Sequence, residues 1–459
     1  MSVQKSIVIR FYYDYSFPLK SFVYLSFLLT GLSYSFAESE SNKSLMLSNE
    51  NIEVFFPSLS KIFLNLDESA PSISESEQFT KITRSNKIIA EASKGVSVNF
   101  NVSGLSIHEN RPGQSYDQSF RTVGSIYVKK PVYHWGGLKA KSRIAELKDE
   151  YAVKQTIASK ANLIMQIKSA FMDLVLLNFK LDLAKDALSI CEQNEEDLVK
   201  RKELGIATEL MVSQATIEKL EQSIEIAEFN RLFITQKAFF KHDTGFYDKI
   251  VFDIPEKFET FYNKHEFGKG IPQLLGSISS QTVEELKSQI NIEKENIKIA
   301  DSNLKPKVNL VGGFYQDQID LPNKAESVRR NNFLVGVEAN WALWDSSHSK
   351  GMRSLALAKK RQFEIQLESN TKRLRLEMNG LQAQMFNLAK QIDLARQLVS
   401  TANNRFEKSQ IEFDINQITH TIYFSSKLDL SKARLSLIQT VFAYFQVKEK
   451  YEFHLQYPK

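Results

Sequence analysis

The sequence predicts an exported α+β membrane protein, internally duplicated, with four strands of the transmembrane β-barrel type and very long coiled-coil helices. Three observations predict it. First, the chain repeats itself. The segment YVKKPVYHWGGLKAKSRIAEL around Pro131 returns as EANWALWDSSHSKGMRSLAL around Ala342, and KRKELGIATELMVSQA around Gly205 is answered by RFEKSQIEFDINQITH around Ser409. Self-similarity at such spacing marks duplicated architecture. Second, four stretches alternate apolar and polar residues with period two. Third, two long stretches keep apolar residues at an unbroken 4-3 spacing, the sign of helices supercoiled against neighbours.

Bulk properties narrow the class. At 459 residues, the chain has room for two or three domains. Mean hydropathy is −0.29, and no mature stretch stays apolar and uncharged for the roughly 20 residues a spanning helix needs. A transmembrane helix is thereby excluded, but not a barrel, whose strands are short and half apolar. Ten prolines and 17 glycines suit long uninterrupted helices. The net charge of +5 is too small and too evenly spread to point to nucleic acid. The single cysteine, Cys191, excludes an intramolecular disulfide and a multi-cysteine metal site.

The elements follow in order. Residues 1–37 read as a signal peptide: Lys5, Arg10 and Lys20 precede an apolar run over 21–35, and Ser35-Phe36-Ala37 offers a cleavage site. A non-cleaved anchor is the alternative. No cysteine stands at the expected mature N-terminus to carry a lipid. Two helices follow, over 49–67 and 72–93, with Ser69 as N-cap of the second and Pro71 in its first turn. In the first strand, at about 96–108, Val96, Val98, Phe100 and Val102 alternate with Ser97, Asn99, Asn101 and Ser103. A turn-rich link with Asn110, Pro112 and Gly113 leads to a second strand at about 120–133. The second half repeats this with strands at about 308–319 and 332–344 around a polar loop over 320–331. There Phe333, Val335, Val337, Ala339, Trp341 and Leu343 share one face, and Gly336, Glu338 and Asn340 the other. A sandwich strand with one solvated side is the alternative. In an exported chain, one oily and one charged face fit lipid outside and water inside, and Trp341 and Trp344 suit an interfacial aromatic belt. Four strands cannot close a transmembrane barrel, so several copies must share it.

From Gly137 the heptads begin: Leu163, Ile167, Ala170, Leu174, Leu177, Leu181, Ala184, Leu188 and Cys191. Leu374, Met378, Leu381, Met385, Leu388, Ile392, Ala395, Val399, Ala402 and Phe406 form the second seam. Ile217, Leu220, Ile224 and Ala227, then Leu428, Ser431, Leu435, Ile438 and Phe442, read as returning helices. Each half is then an antiparallel hairpin, with its tip near Gly205 or Ser409. Pro131 to Gly205 is 74 residues and Ala342 to Ser409 is 67, so the first hairpin is expected to be one heptad longer. At 1.5 Å per residue the first would reach about 110 Å, far beyond a bilayer. The organisation is therefore a leader over 1–37, a first repeat over 38–241, a glycine- and proline-rich linker over 242–280 and a second repeat over 281–459.

These strings resemble the TolC-like outer-membrane factors, the channel-tunnels of Gram-negative efflux pumps and type I secretion systems. PVYHWGG is similar to the family's strand-to-helix junction, with WALWDSS as a degenerate partner. LKPKVNLVGG resembles the entry into the first strand of a half, and ELGIATELMVSQA the tip of a helical hairpin. The resemblance covers about residue 70 to the end. It implies a homotrimer whose barrel sits in outer-membrane lipid and whose helices continue as a periplasmic tunnel. It also implies a periplasmic adaptor (membrane fusion) protein at the tips and an inner-membrane RND or ABC transporter, with no catalytic step and no cofactor. Leu204, Gly205, Ile206 and Thr208, with Ser409, Gln410 and Ile411, would meet the adaptor. The family's acidic entrance positions are here Ile415 and Ile418; Glu412 and Asp414 nearby are the acidic candidates for a gate, with solvated tip charges as the alternative, and Ile415 and Ile418 are the apolar candidates. Ser409 departs from the family's glycine, and Lys94-Gly95 from the proline of Pro306-Lys307.

Catalysis finds no support in the residues. His108, His134, His242, His265, His348, His420 and His454 lack metal-ligand spacing, and no nucleophile elbow occurs. Gly136-Gly137 reads as a strand-to-helix break, not a phosphate cradle. The other reading is a periplasmic coiled-coil adaptor, which needs one hairpin and a small β domain; duplication and four amphipathic strands oppose it.

Overall fold

The computed structural model describes residues 51–109, 117–247, 250–269, 271, 279–320, 327–415 and 417–455, so residues 321–326 of the polar loop expected over 320–331 lie outside the described residues. The leader, the turn with Asn110, Pro112 and Gly113, and Gly270, Pro272 and Gly276 of the linker lie outside the described residues. After a short 3-10 turn at Ile52–Val54 come α1 (Pro57–Ser69), α2 (Pro71–Ala92), β1 (Ser97–Glu109), β2 (Asp117–Tyr133), α3 (Gly137–Glu203) and α4 (Glu209–Thr244). Then follow α5 (Glu256–Lys264), α6 (Gln281–Asn303), β3 (Lys307–Asp320), β4 (Ser327–Asn340), α7 (His348–Asp414) and α8 (His420–Leu455). No described helix is long and apolar enough to cross a membrane.

Proline sets the first two helix starts. Pro57 and Pro71 each occupy the first turn, where no amide donor is needed. The helix expected over 49–67 thus begins at Pro57, because the residue before a proline is driven to extended backbone; Phe56 has ψ 93°. The N-cap expected at Ser69 falls on Ala70, with ψ 120°. Ser69 closes α1 instead, and its hydroxyl donates to the Thr244 carbonyl at 2.7 Å.

The four strands form one antiparallel sheet in the order β1-β2-β3-β4, with β1 and β4 as open edges. The register aligns Val98 with Val128, Phe100 with Ile126, Ile126 with Phe314, and Phe314 with Phe333. One face is thereby apolar across all four strands. The opposite face carries Arg121, Tyr127, Lys129, Tyr315, Asp317 and Glu338. β4 starts earlier and ends sooner than the pattern suggested. Ser327, Arg329, Arg330 and Asn331 are polar yet pair with β3, Arg330 opposite Asp317, and the strand stops at Asn340, leaving Trp341 and Trp344 just beyond it.

Near the sheet the helices pack in the order α2-α3-α6-α7; towards the hairpin tips the order is α4-α3-α8-α7. α3 and α7 are continuous staves, while α2 with α4 and α6 with α8 make divided ones. The seams bury as the heptads require: Leu163, Ile167, Leu174, Leu181, Leu374, Met378, Met385 and Ile392 are all at most 8% exposed. Midway along the bundle an aromatic core joins the start of α1 to α3, α5 and α8 through Phe56, Phe171, Phe258, Phe442 and Phe445. Within it Lys168 meets Glu449 at 2.8 Å and Glu53 at 3.1 Å.

The two hairpins are equal. α3 and α7 both have 67 residues, about 100 Å of helix, and α4 and α8 both have 36. Each helix boundary of the second hairpin lies 211 residues after its counterpart, as Gly137 to His348 and Glu203 to Asp414 show. The expected extra heptad is absent, and the second tip is not at Ser409. A slip of seven residues leaves a heptad seam unchanged, so periodicity cannot detect it.

Candidate functional site

The tips are built by helix-capping chemistry. At the first, α3 ends in a Schellman motif: Gly205 N donates to Lys202 O at 2.9 Å and Ile206 N to Arg201 O at 2.8 Å. Gly205 supplies the left-handed φ of 73° that the motif needs. Thr208 then caps α4, its hydroxyl accepting from Met211 N at 3.3 Å. Lys200, Arg201 and Lys202 place cations at the carbonyl end of α3, and Lys202 ion-pairs with Glu209 across the turn. Leu204 and Ile206 project from this cap, 73% and 72% exposed.

The second tip uses the same bonds 211 residues on. Gln417 N donates to Glu412 O at 2.8 Å, and Ile415 N to Ile411 O at 3.2 Å. The five-residue link 204–208, LGIAT, corresponds to 415–419, INQIT. Asn416, which lies outside the described residues, stands at the position of Gly205 in this count. It is the signal that could have located the tip, because asparagine is the usual substitute for glycine at such caps.

Of the residues expected at the adaptor-facing end, Leu204, Gly205, Ile206 and Thr208 lie together in the first turn. Ser409 and Gln410 do not reach the second turn: they lie within α7, Ser409 buried at 7% exposure. Ile411, exposed, is one turn short of the end. Among the gate candidates, Glu412 and Asp414 occupy the last turn of α7, exposed, and Ile415 and Ile418 lie in the link itself. Beside the tips, a groove between α3 and α8 is lined by Ile190, Asn194, Lys200, Thr421 and Phe424. Thr421 donates across it to Asn194 at 3.2 Å.

At the far end, the polar face of the sheet is internally neutralised. Arg121 grips Asp317 with two bonds of 2.8 and 2.9 Å, and Glu338 accepts from Tyr127 at 2.9 Å and Lys129 at 3.1 Å. Such charge satisfaction suits a wet interior. The apolar face is bare, with Phe333 83% and Val335 87% exposed. Sequence reasoning did not single out this ionic network, although the odd-numbered charges of β2 and β3 share one face. Cys191 is half-buried on α3, and burial, with Glu218 and Glu192 nearby, pushes its thiol upwards. Among the described residues no group of histidine, cysteine and carboxylate side chains is arranged to hold a metal.

No protein-family model matches the sequence, and no curated protein matches it. Solved structures do. The CmeC outer-membrane channel of Campylobacter jejuni superposes with a TM-score of 0.70 at 13% identity, over 88% of this chain and 87% of that one. The outer-membrane protein VceC of Vibrio cholerae gives 0.66 at 14%, over 88% and 97%. The MtrE outer-membrane channel of Neisseria gonorrhoeae gives 0.64 at 12%, over 87% and 89%. The chain has the TolC-like outer-membrane channel fold. Of these neighbours, CmeC and MtrE are described as outer-membrane channels.

Proposed function

We propose that three copies of this chain close into an outer-membrane channel with a periplasmic helical tunnel. It serves as the passive exit duct of a tripartite efflux pump or type I secretion system. One observation carries the reading: a four-stranded sheet, apolar on one face and charged on the other, has two unpaired edges and runs directly into staves about 100 Å long. Two copies would supply eight strands, whose interior side chains fill. Three supply twelve and leave a lumen. Along one side lie β1, α2 and α4, and along the other β4 and α7, so the contact is head-to-tail and can close a ring.

Leu204, Gly205, Ile206 and Thr208, the second link at 415–419 and the groove near Thr421 are the surfaces offered to a periplasmic adaptor, which couples the duct to an inner-membrane RND or ABC transporter. Glu412 and Asp414 would gather as a ring of acids about the entrance, attracting cations. The chain should fractionate with the outer membrane as a heat-resistant oligomer and conduct ions in planar bilayers. Recovery as a periplasmic monomer would mean the adaptor reading is correct instead. Replacing Glu412 and Asp414 together with Gln and Asn should lower cation preference in single-channel recordings; unchanged preference would transfer the gate to Ile415 and Ile418.

A further inference from the structure

The link between α6 and β3, residues 304–306, is clamped by two indoles. Trp341 Nε1 donates to the Leu304 carbonyl at 3.0 Å, and Trp135 Nε1 donates to the Pro306 carbonyl at 2.8 Å. Lys305 sits between the two clamped carbonyls, exposed, with its ammonium 4.9 Å from the centre of the Trp135 ring. Trp135 is itself fixed, by a left-handed φ of 53° and by an edge contact with Tyr133 at 5.0 Å. Lys305 has no carboxylate partner among the described residues; the acid nearest in sequence before it, Asp301, is engaged by Arg353 at 3.0 Å. Lys130 is likewise unpaired, on the same face of β2 as Ile126 and Val128. Around them Val132, Leu343 and Trp344 are 63%, 76% and 81% exposed. A cation over an aromatic face, at the rim of an apolar sheet, is placed to meet a fixed anion at that level.

We propose that this collar binds the headgroup of an acidic phospholipid of the periplasmic leaflet, with Lys305 as the principal contact and Lys130 flanking it. The proposal rests on the reading that the sheet crosses a membrane. Indoles at the rim sit at headgroup depth, the acyl chains lie along Val128, Leu310 and Val337, and the phosphate meets Lys305. Trp135 and Trp341 hold the link in place; they do not contact the anion. A lysine near such a surface favours an acidic over a zwitterionic lipid by about fivefold.

The test uses the full-length oligomer in nanodiscs of phosphatidylcholine mixed with phosphatidylglycerol, released and weighed by native mass spectrometry. Wild type should retain phosphatidylglycerol about fivefold over its share of the mixture, Lys305→Gln should fall close to parity, and Lys305→Arg should keep the preference. Retention in proportion to the mixture by wild type, or an unchanged preference in Lys305→Gln, overturns the proposal while leaving the channel reading intact. Failure of wild type to enter nanodiscs or vesicles of any composition overturns the membrane reading and this site with it.

Discussion

Ser346 and Ser347 hold φ of 50° and 69° at the entry to α7, where the first repeat has Trp135 and Gly136 at 53° and 82°. A residue with a Cβ is strained by about 1–2 kcal/mol there, and the Asp345 carboxylate, accepting from Ser349 N at 2.8 Å, helps to hold the turn. Ser347→Gly should therefore raise unfolding stability by about 1 kcal/mol in urea titration. Lys168 poses the opposite case. Burial alone would lower its pKa, but Glu449 and Glu53 outweigh burial and raise it. A raised lysine contributes stability fully present below its unfolded value, about 10.4, and lost only above its folded one, so the triad is intact at all physiological pH. Lys168→Met should destabilise by about 3 kcal/mol by stranding two carboxylates. His454 behaves differently again. Burial holds its pKa below the ordinary imidazole value, with Glu377 opposing, and its Nδ1 has no hydrogen-bond partner. The unfolded chain takes up that proton first, so stability falls as pH drops through about 6.5 towards the folded value. The melting temperature should fall between about pH 8 and pH 5.5, and His454→Gln should remove part of that fall.

Among the elements, the helices were legible because burial imposes the heptads, and the strands because a sheet with one apolar and one polar face imposes alternation. What escaped was set by groups of one or two residues. The second tip was misplaced by one heptad because Ser409 and Asn416 are interchangeable to a seam; only the cap chemistry of INQIT tells them apart. The start of β4 was hidden because Arg329 and Arg330 look like loop, and their pairing with Gln318 and Asp317 is visible only once the register is known. Ile217, Leu220, Ile224 and Ala227, the heptadic stripe of the returning helix, face outwards, Ile224 68% exposed. Periodicity reports that a stripe exists, not what covers it. At this scale Thr208→Ala should cost about 1 kcal/mol by removing the α4 cap, read as faster hydrogen exchange confined to the first tip. Bulky replacement of Gly205 should block export while the oligomer still assembles.

For the molecule as a whole, the proposed ring would set that outward stripe on α4 against the opposite edge, where Leu376 and Leu394 of α7 are 71% and 63% exposed. Leu220→Glu with Ile224→Glu should leave helix content by circular dichroism unchanged but abolish the cross-linked oligomer; persistence of that oligomer would place the interface elsewhere. The 211-residue repeat has a further consequence for stoichiometry. In the proposed trimer six hairpins would surround the axis, alternating between two kinds, one turning on Gly205 and one beyond Asp414. A partner that approaches as six equal units must therefore bind in two non-equivalent ways, whereas one that approaches as three can ignore every second tip. A mutation in either link is copied three times, not six, so one family of tips can drift towards gating while the other is kept for recognition. Fusing the two repeats into one chain is what makes that division of labour heritable.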